Sequence, residues 1–127
     1  MCIVLYFNVI GVGVRGKNDL TAGTPAGELG IPVTCLAGKW LEGSEDFSGG
    51  GGATAVSFLV GQGYKQVCGS AAAWGDGITP VQTAHLDGAD NVTLEGVFHT
   101  PLGSSDSRPW YGTPKVLDQW VDKLRVL

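Results

Sequence analysis

The sequence predicts an α/β domain, and three features carry that expectation. Two short β-rich apolar runs, Ile31-Pro32-Val33-Thr34-Cys35-Leu36-Ala37 and Asn91-Val92-Thr93-Leu94-Glu95-Gly96-Val97, lie far apart in the chain. Thr79-Pro80 and Thr113-Pro114 each read as a helix cap followed by proline in the first turn. Finally, Val116, Leu117, Trp120, Val121 and Leu124 fall at i, i+1, i+4, i+5 and i+8, one apolar stripe on an amphipathic helix. Strand, loop, helix, strand, loop, helix is the alternation of a mainly parallel sheet with flanking helices.

The 127 residues and 13.2 kDa match one domain or a piece of one. An apolar content of 43% against 16% charged supplies a core and excludes wholesale disorder. Glycine, at 21 residues, predicts a loop-rich fold. The net charge of −4 comes without a basic run, which argues against nucleic acid as a partner. Cys2, Cys35 and Cys68 stand singly, so neither a disulfide framework nor a zinc knuckle is indicated, and a reducing compartment within the cell is the default expectation.

Taken in order, the opening run Cys2-Ile3-Val4-Leu5-Tyr6-Phe7 is too short to span a membrane and has no preceding basic residue, as a signal peptide would. It reads as a strand or as a start foreign to the domain. Residues 1–30 as a whole form an atypical segment, and residues 31–127 the domain proper. Ile31 to Ala37 has the form of a buried strand with proline at its beginning. Residues 42–53, centred on Gly49-Gly50-Gly51-Gly52, read as a flexible surface excursion. Ala55 to Val60 and Tyr64 to Gly69 are apolar runs that strand and helix explain equally well. A short helix is expected from Val81 to about Leu86, ended by Asp87-Gly88. The run from Asn91 is a strand by its alternation, with Gly96 near its end. The last helix carries Lys123 and Arg125 in its final turns, favourable against the negative end of its dipole.

Several groups could carry chemistry. Gly11-Val12-Gly13-Val14-Arg15-Gly16 has the G-x-G-x-x-G spacing of a dinucleotide loop, but no helix follows it, and a glycine-rich connector is the simpler reading. His85, Asp87, Asp90 and His99 are acceptable metal ligands by type, yet their spacing fits no metal motif. His85 is simplest as a solvent-facing helical residue, and Asp87 and Asp90 as turn formers. No metal or cofactor is therefore expected. Arg108-Pro109-Trp110-Tyr111 reads as a loop anchor that packs Trp110 on the sheet edge, or as a channel wall with the arginine stacked on an aromatic ring.

The strongest pair is Asp76 and His99. Asp76 lies in Gly75-Asp76-Gly77, ahead of a predicted helix, and His99 lies just past a predicted strand. Catalytic groups of open α/β sheets sit on loops beyond the carboxyl ends of strands. A carboxylate that orients an imidazole general base requires an acid and a histidine on neighbouring loops, and acid before histidine is the chain order of α/β-hydrolases. The competing readings are an Asx turn for Asp76 and an ordinary strand-end residue for His99.

A resemblance bears on that choice. Trp74-Gly75-Asp76-Gly77-Ile78-Thr79-Pro80 and the run from Ala84-His85-Leu86 through Gly96-Val97-Phe98-His99 resemble the acid loop, helix, strand and histidine loop of small bacterial triacylglycerol lipases. With Pro101-Leu102-Gly103 and Arg108-Pro109-Trp110-Tyr111-Gly112 added, the chain looks closer still to plant α/β-hydrolase-superfamily proteins. Those are often described as lipase-like or likened to glycosylphosphatidylinositol inositol-deacylases. The likeness runs from about Ile31 to the end and is most specific over residues 61–120. It implies the C-terminal part of an α/β-hydrolase fold, an ester or lipid substrate, Asp76 as catalytic acid and His99 as catalytic histidine.

The same family needs a G-x-S-x-G nucleophile elbow ahead of the acid. Ser44, Ser48, Ser57 and Ser70 all lack the glycine two positions earlier, and Ser104, Ser105 and Ser107 follow the histidine. The expectation is a fragment of a lipase- or esterase-like serine hydrolase that is inactive alone, from a truncated or misjoined gene product. The alternative is a non-catalytic interaction module that pairs, or self-associates, through an exposed sheet edge.

Overall fold

The computed structural model describes residues 33–47 and 55–124. The expectations for residues 1–30, including the glycine motif at 11–16, for the glycine tract and for Arg125 lie outside the described residues.

Helices and strands are mixed, with a small parallel sheet, as expected of an α/β chain. Strand β1 (Thr34–Lys39) and strand β4 (Asp90–Glu95) pair in parallel over their whole length, from Thr34 opposite Asp90 to Lys39 opposite Glu95. A parallel pair needs a long crossover, and the intervening chain supplies it. β2 (Leu41–Glu42), helix α1 (Ala55–Cys68), β3 (Trp74–Gly75) and the short helix α2 (Val81–Ala84) all lie between the two strands. β2 and β3 form a separate antiparallel pair, which the sequence pattern did not indicate. Helix α3 (Pro114–Trp120) closes the order and runs into a 3₁₀ turn, Val121–Leu124.

Both predicted strands lie within a few residues of their expected places. β1 is buried through its centre, consistent with its apolar run. β4 turns Leu94 inward and Thr93 and Glu95 outward, as its alternation predicts. It stops at Gly96, whose φ of +71° is the left-handed conformation that glycine adopts without strain.

The two ambiguous runs are one continuous helix, α1. Its inner face is Ser57, Gly61 and Tyr64, whereas Val56, Leu59 and Val67 are exposed. Gly61 decides the orientation, because a side chain there would collide with the backbone of Ser44. Two small residues and a tyrosine, rather than the helix's aliphatic residues, therefore face the domain. At α2 the cap is displaced by one residue: Pro80, not Thr79, is the extended residue before the helix, and no side chain caps it.

The core gathers Leu36 of β1, Leu94 and Val97 at β4, and Tyr111, Val116 and Trp120, with Val92, Trp110 and Leu117 packed around them. Val116, Leu117 and Trp120 of the predicted stripe thus meet the sheet as its periodicity requires. The Trp120 indole N–H donates to the Tyr111 carbonyl at 3.0 Å, fixing α3 to the loop before it. Lys123 binds Asp90 at 2.7 Å. Cys68 is a free thiol, but Cys35 is disulfide-bonded, contrary to the expectation of three single cysteines.

Candidate functional site

The parallel register brings the carboxyl ends of β1 and β4 to one end of the sheet. Beyond β4, Val97 is buried and His99 is half-exposed. Trp40, the residue after β1, donates its N–H to the Gly75 carbonyl at 2.8 Å and so draws the Gly75-Asp76 loop to the same end. The loop itself is a tight turn in which the Asp76 N–H donates to the Thr79 carbonyl and Gly77 takes a φ of +100°.

Asp76 and His99 are joined twice. The His99 backbone N–H donates to the Asp76 carbonyl at 3.0 Å, and the His99 Nδ1 lies 2.9 Å from Asp76 Oδ2. Asp76 is completely buried. Its Oδ1 accepts the backbone N–H groups of Ile78 and Thr79 at 3.0 and 2.7 Å, which is an Asx turn. Its Oδ2 accepts the Tyr111 hydroxyl at 2.8 Å as well as the imidazole. Asx turn and imidazole partner, set against each other in the sequence, are both present because a carboxylate has two oxygens, each with room for two donors.

The proton positions follow from this network. Gly38 N–H donates to the Tyr111 oxygen at 2.8 Å, so the Tyr111 O–H is directed at Asp76. With Oδ2 acting as an acceptor, the hydrogen in its bond to the ring sits on Nδ1. The neutral imidazole then carries its lone pair on Nε2, to which nothing is hydrogen-bonded among the described residues. This is the tautomer of a general base.

Two tyrosines to which the sequence reading gave no role beside Asp76 support the pair. Tyr64 on α1 accepts the Gly77 N–H at 2.8 Å, holding the acid loop from the helix side. Burial, reinforced by the negative Asp76, pushes its phenol up to about 12, against a lowering contribution from the Gly77 bond. Tyr111 lies well above the usual tyrosine range for the same first reason, burial, with the Asp76 charge next. Both hydroxyls stay protonated and serve as fixed donors and acceptors. A signal existed in the sequence to the extent that a buried tyrosine must find a hydroxyl partner, but nothing in the spacing named Asp76 as that partner.

Gly38 is the floor of the site. A Cβ there would stand 2.5 Å from the Val97 carbonyl oxygen, and 2.9 Å from both the Asp76 Cβ and the Tyr111 hydroxyl. β1 therefore passes so close to the acid that only glycine fits.

The other candidates are not brought to this place. The His85 ring meets the Thr93 hydroxyl at 3.3 Å, and burial lowers its pKa. Asp90 pairs with Lys123. No group of three metal-ligating side chains occurs among the described residues. In the Arg108 to Tyr111 segment Trp110 packs on the core, as the anchor reading expects, and Arg108 stacks on Phe98 and Trp40. Among the described residues no helix is long and apolar enough to cross a membrane.

Comparison with protein-family models, curated proteins and solved structures finds no match to this chain.

Proposed function

We propose that the chain supplies the acid and base of a serine-hydrolase-type ester hydrolysis, as the C-terminal part of an α/β-hydrolase fold of the lipase- and esterase-like kind. The observation that carries this reading is the bond from His99 Nδ1 to the buried Asp76 carboxylate, with no hydrogen bond to Nε2 among the described residues. His99 Nε2 takes the proton of a nucleophilic hydroxyl as that oxygen attacks the ester carbonyl, then returns it to the leaving alcohol. Asp76 stays ionised and stabilises the imidazolium between the two steps. None of the serines in the 127 residues has the elbow setting, so the reading requires a hydroxyl from another chain or another part of the protein. The order of strand, acid loop, strand and histidine loop, together with the resemblance over residues 61–120, supports the same assignment.

The test is covalent capture by a fluorophosphonate, which reports an activated serine. The chain alone is expected to be inert, and a form joined to a strand, Gly-x-Ser-x-Gly and helix segment to be labelled in a manner that depends on His99. Labelling unaffected by His99→Ala would overturn the assignment.

A second reading has its own observation. β1 and β4 form only a two-stranded sheet among the described residues, and Val56, Leu59 and Val67 leave an apolar line exposed on α1. Two strands alone are marginal, and exposed apolar lines mark interaction surfaces. On this reading the chain is a non-catalytic module that associates with itself or with another protein.

A further inference from the structure

Arg108 differs from Lys39, the other half-buried cation among the described residues. Lys39 is paired with Glu95 at 3.1 Å. Among the described residues no acid pairs with Arg108, and its Nε is buried without a hydrogen-bond partner. The guanidinium carbon lies 3.6 Å from the centre of the Phe98 ring and 4.8 Å from that of Trp40, two rings that themselves meet edge to face at 4.7 Å. Stacking satisfies the faces of a guanidinium, but its N–H donors point outward from the edges and are untouched by it. A cation held this way, and given no acid among the described residues, is set up for an anion from outside.

Its place connects it to both loops of the dyad. Pro109, the next residue, accepts the N–H of Phe98 at 2.8 Å, and Phe98 immediately precedes His99. Trp40 and Phe98 both abut Gly77, the neighbour of Asp76, where a Cβ would stand 3.3 and 3.0 Å from their rings. The stack therefore borders the acid loop and the histidine loop at once.

We propose that Arg108 is an anion-recognition residue, gripping a phosphate or carboxylate group carried by the ester on which His99 acts. The location beside the reacting ester rests on the dyad reading above; the anion site itself does not. The planar fork is what matches an oxyanion, with two N–H groups donating to two oxygens of one group.

The experiment is a titration of the 127-residue chain with inorganic phosphate, and separately with acetate, at ionic strength held constant by sodium chloride. It is followed by ¹H–¹⁵N spectra of the Arg108 Nε–H and the Gly77 and Phe98 amides. Saturable shifts at these groups are expected for at least one anion, and the tighter of the two names the source, a phosphorylated or a carboxylated ester. Arg108→Met, which keeps the packed stem, should weaken that binding about tenfold or more. Arg108→Lys, which keeps the charge without the fork, should weaken it less and serves if the methionine variant does not fold. Drift that never saturates, or saturation unchanged in both variants, would overturn the proposal. The His99 Nδ1–H signal separates the two claims. If it is present while no anion binds, Arg108 alone is misassigned; if it is absent, the dyad reading fails whatever the anions do.

Discussion

His99 Nδ1 lies 2.9 Å from Oδ2 of Asp76, a carboxylate with no exposed surface. The acid is bound by two backbone N–H groups, a phenol and the imidazole, so the ring is held by a partner that cannot itself turn away. Asp76→Asn should break this arrangement, because an amide presents donors where the site supplies donors. In a form that contains the nucleophile the loss in turnover is expected to be on the order of 10⁴, as for the equivalent change in serine proteases. ¹⁵N chemical shifts of the ring should show the tautomer moving from Nδ1–H to Nε2–H. His85→Ala should leave both readouts unchanged, since that ring meets Thr93 instead.

Tyr111→Phe removes one hydroxyl that serves two buried partners, the Gly38 N–H and Asp76 Oδ2. The N–H is then left without an acceptor, which costs about 1–3 kcal/mol. Urea denaturation should show a lower midpoint with an unchanged slope, the signature of lost stability without altered compactness. A midpoint equal to that of the parent chain would mean that the phenol is not held as described.

Gly38→Ala places a methyl group 2.5 Å from the Val97 carbonyl oxygen, with Asp76 and Tyr111 at 2.9 Å. None of these is the free end of a flexible side chain. The expected cost is about 1–3 kcal/mol or more, because a packed site can accept the added carbon only by moving backbone. The His99 Nδ1–H resonance should be lost or displaced in the same variant, linking the strand's close approach to the dyad.

The alkaline limb of stability follows from the two tyrosines. Each is held neutral in the fold above the value of about 10 that it has when unfolded, Tyr64 up to about 12 and Tyr111 in the same direction. Above pH 10 the unfolded chain gives up protons that the folded chain keeps, so stability is full below about pH 10 and falls as pH rises through the folded values. The slope approaches about 1.4 kcal/mol per pH unit for each tyrosine. Urea midpoints between pH 9 and 12 should decline in the parent chain and decline less in Tyr64→Phe, which has no proton to lose.

The dyad was legible in the sequence because its residues lie on loops whose strands and helices announce themselves: the alternation at Val92 and Leu94, and the proline at Pro80. The α3 stripe was legible for the same reason, since periodicity records which face is buried. What could not be read was contact across the fold. Tyr111 reaches Asp76 over 35 residues, and no local pattern records such a distance. α1 was obscured in another way. Val56, Leu59 and Val67 point outward while Ser57 and Gly61 are buried beside Tyr64, so the usual link between hydrophobicity and burial is partly reversed there. The decisive constraint, the approach of Gly61 to the Ser44 backbone, is steric and belongs to another segment.

That reversal makes α1 the place to test association. Leu59 is 69% exposed, Val67 56% and Val56 50%, on one surface of a helix whose opposite side already packs on the domain. Apolar area of this kind is favourable to remove from water, at about 25 cal/mol per Å², and a second copy offers the same surface by symmetry. Sedimentation velocity over rising concentration should therefore show the parent chain moving toward dimer. Leu59→Lys should hold it as a monomer, because the substitution puts a charge at the centre of the contact without touching Ser57, Gly61 or Tyr64 on the inner face. A parent chain that stays monomeric throughout would remove self-association from the second reading. Association that persists unchanged in Leu59→Lys would move the contact elsewhere, to the outer edges of β1 and β4.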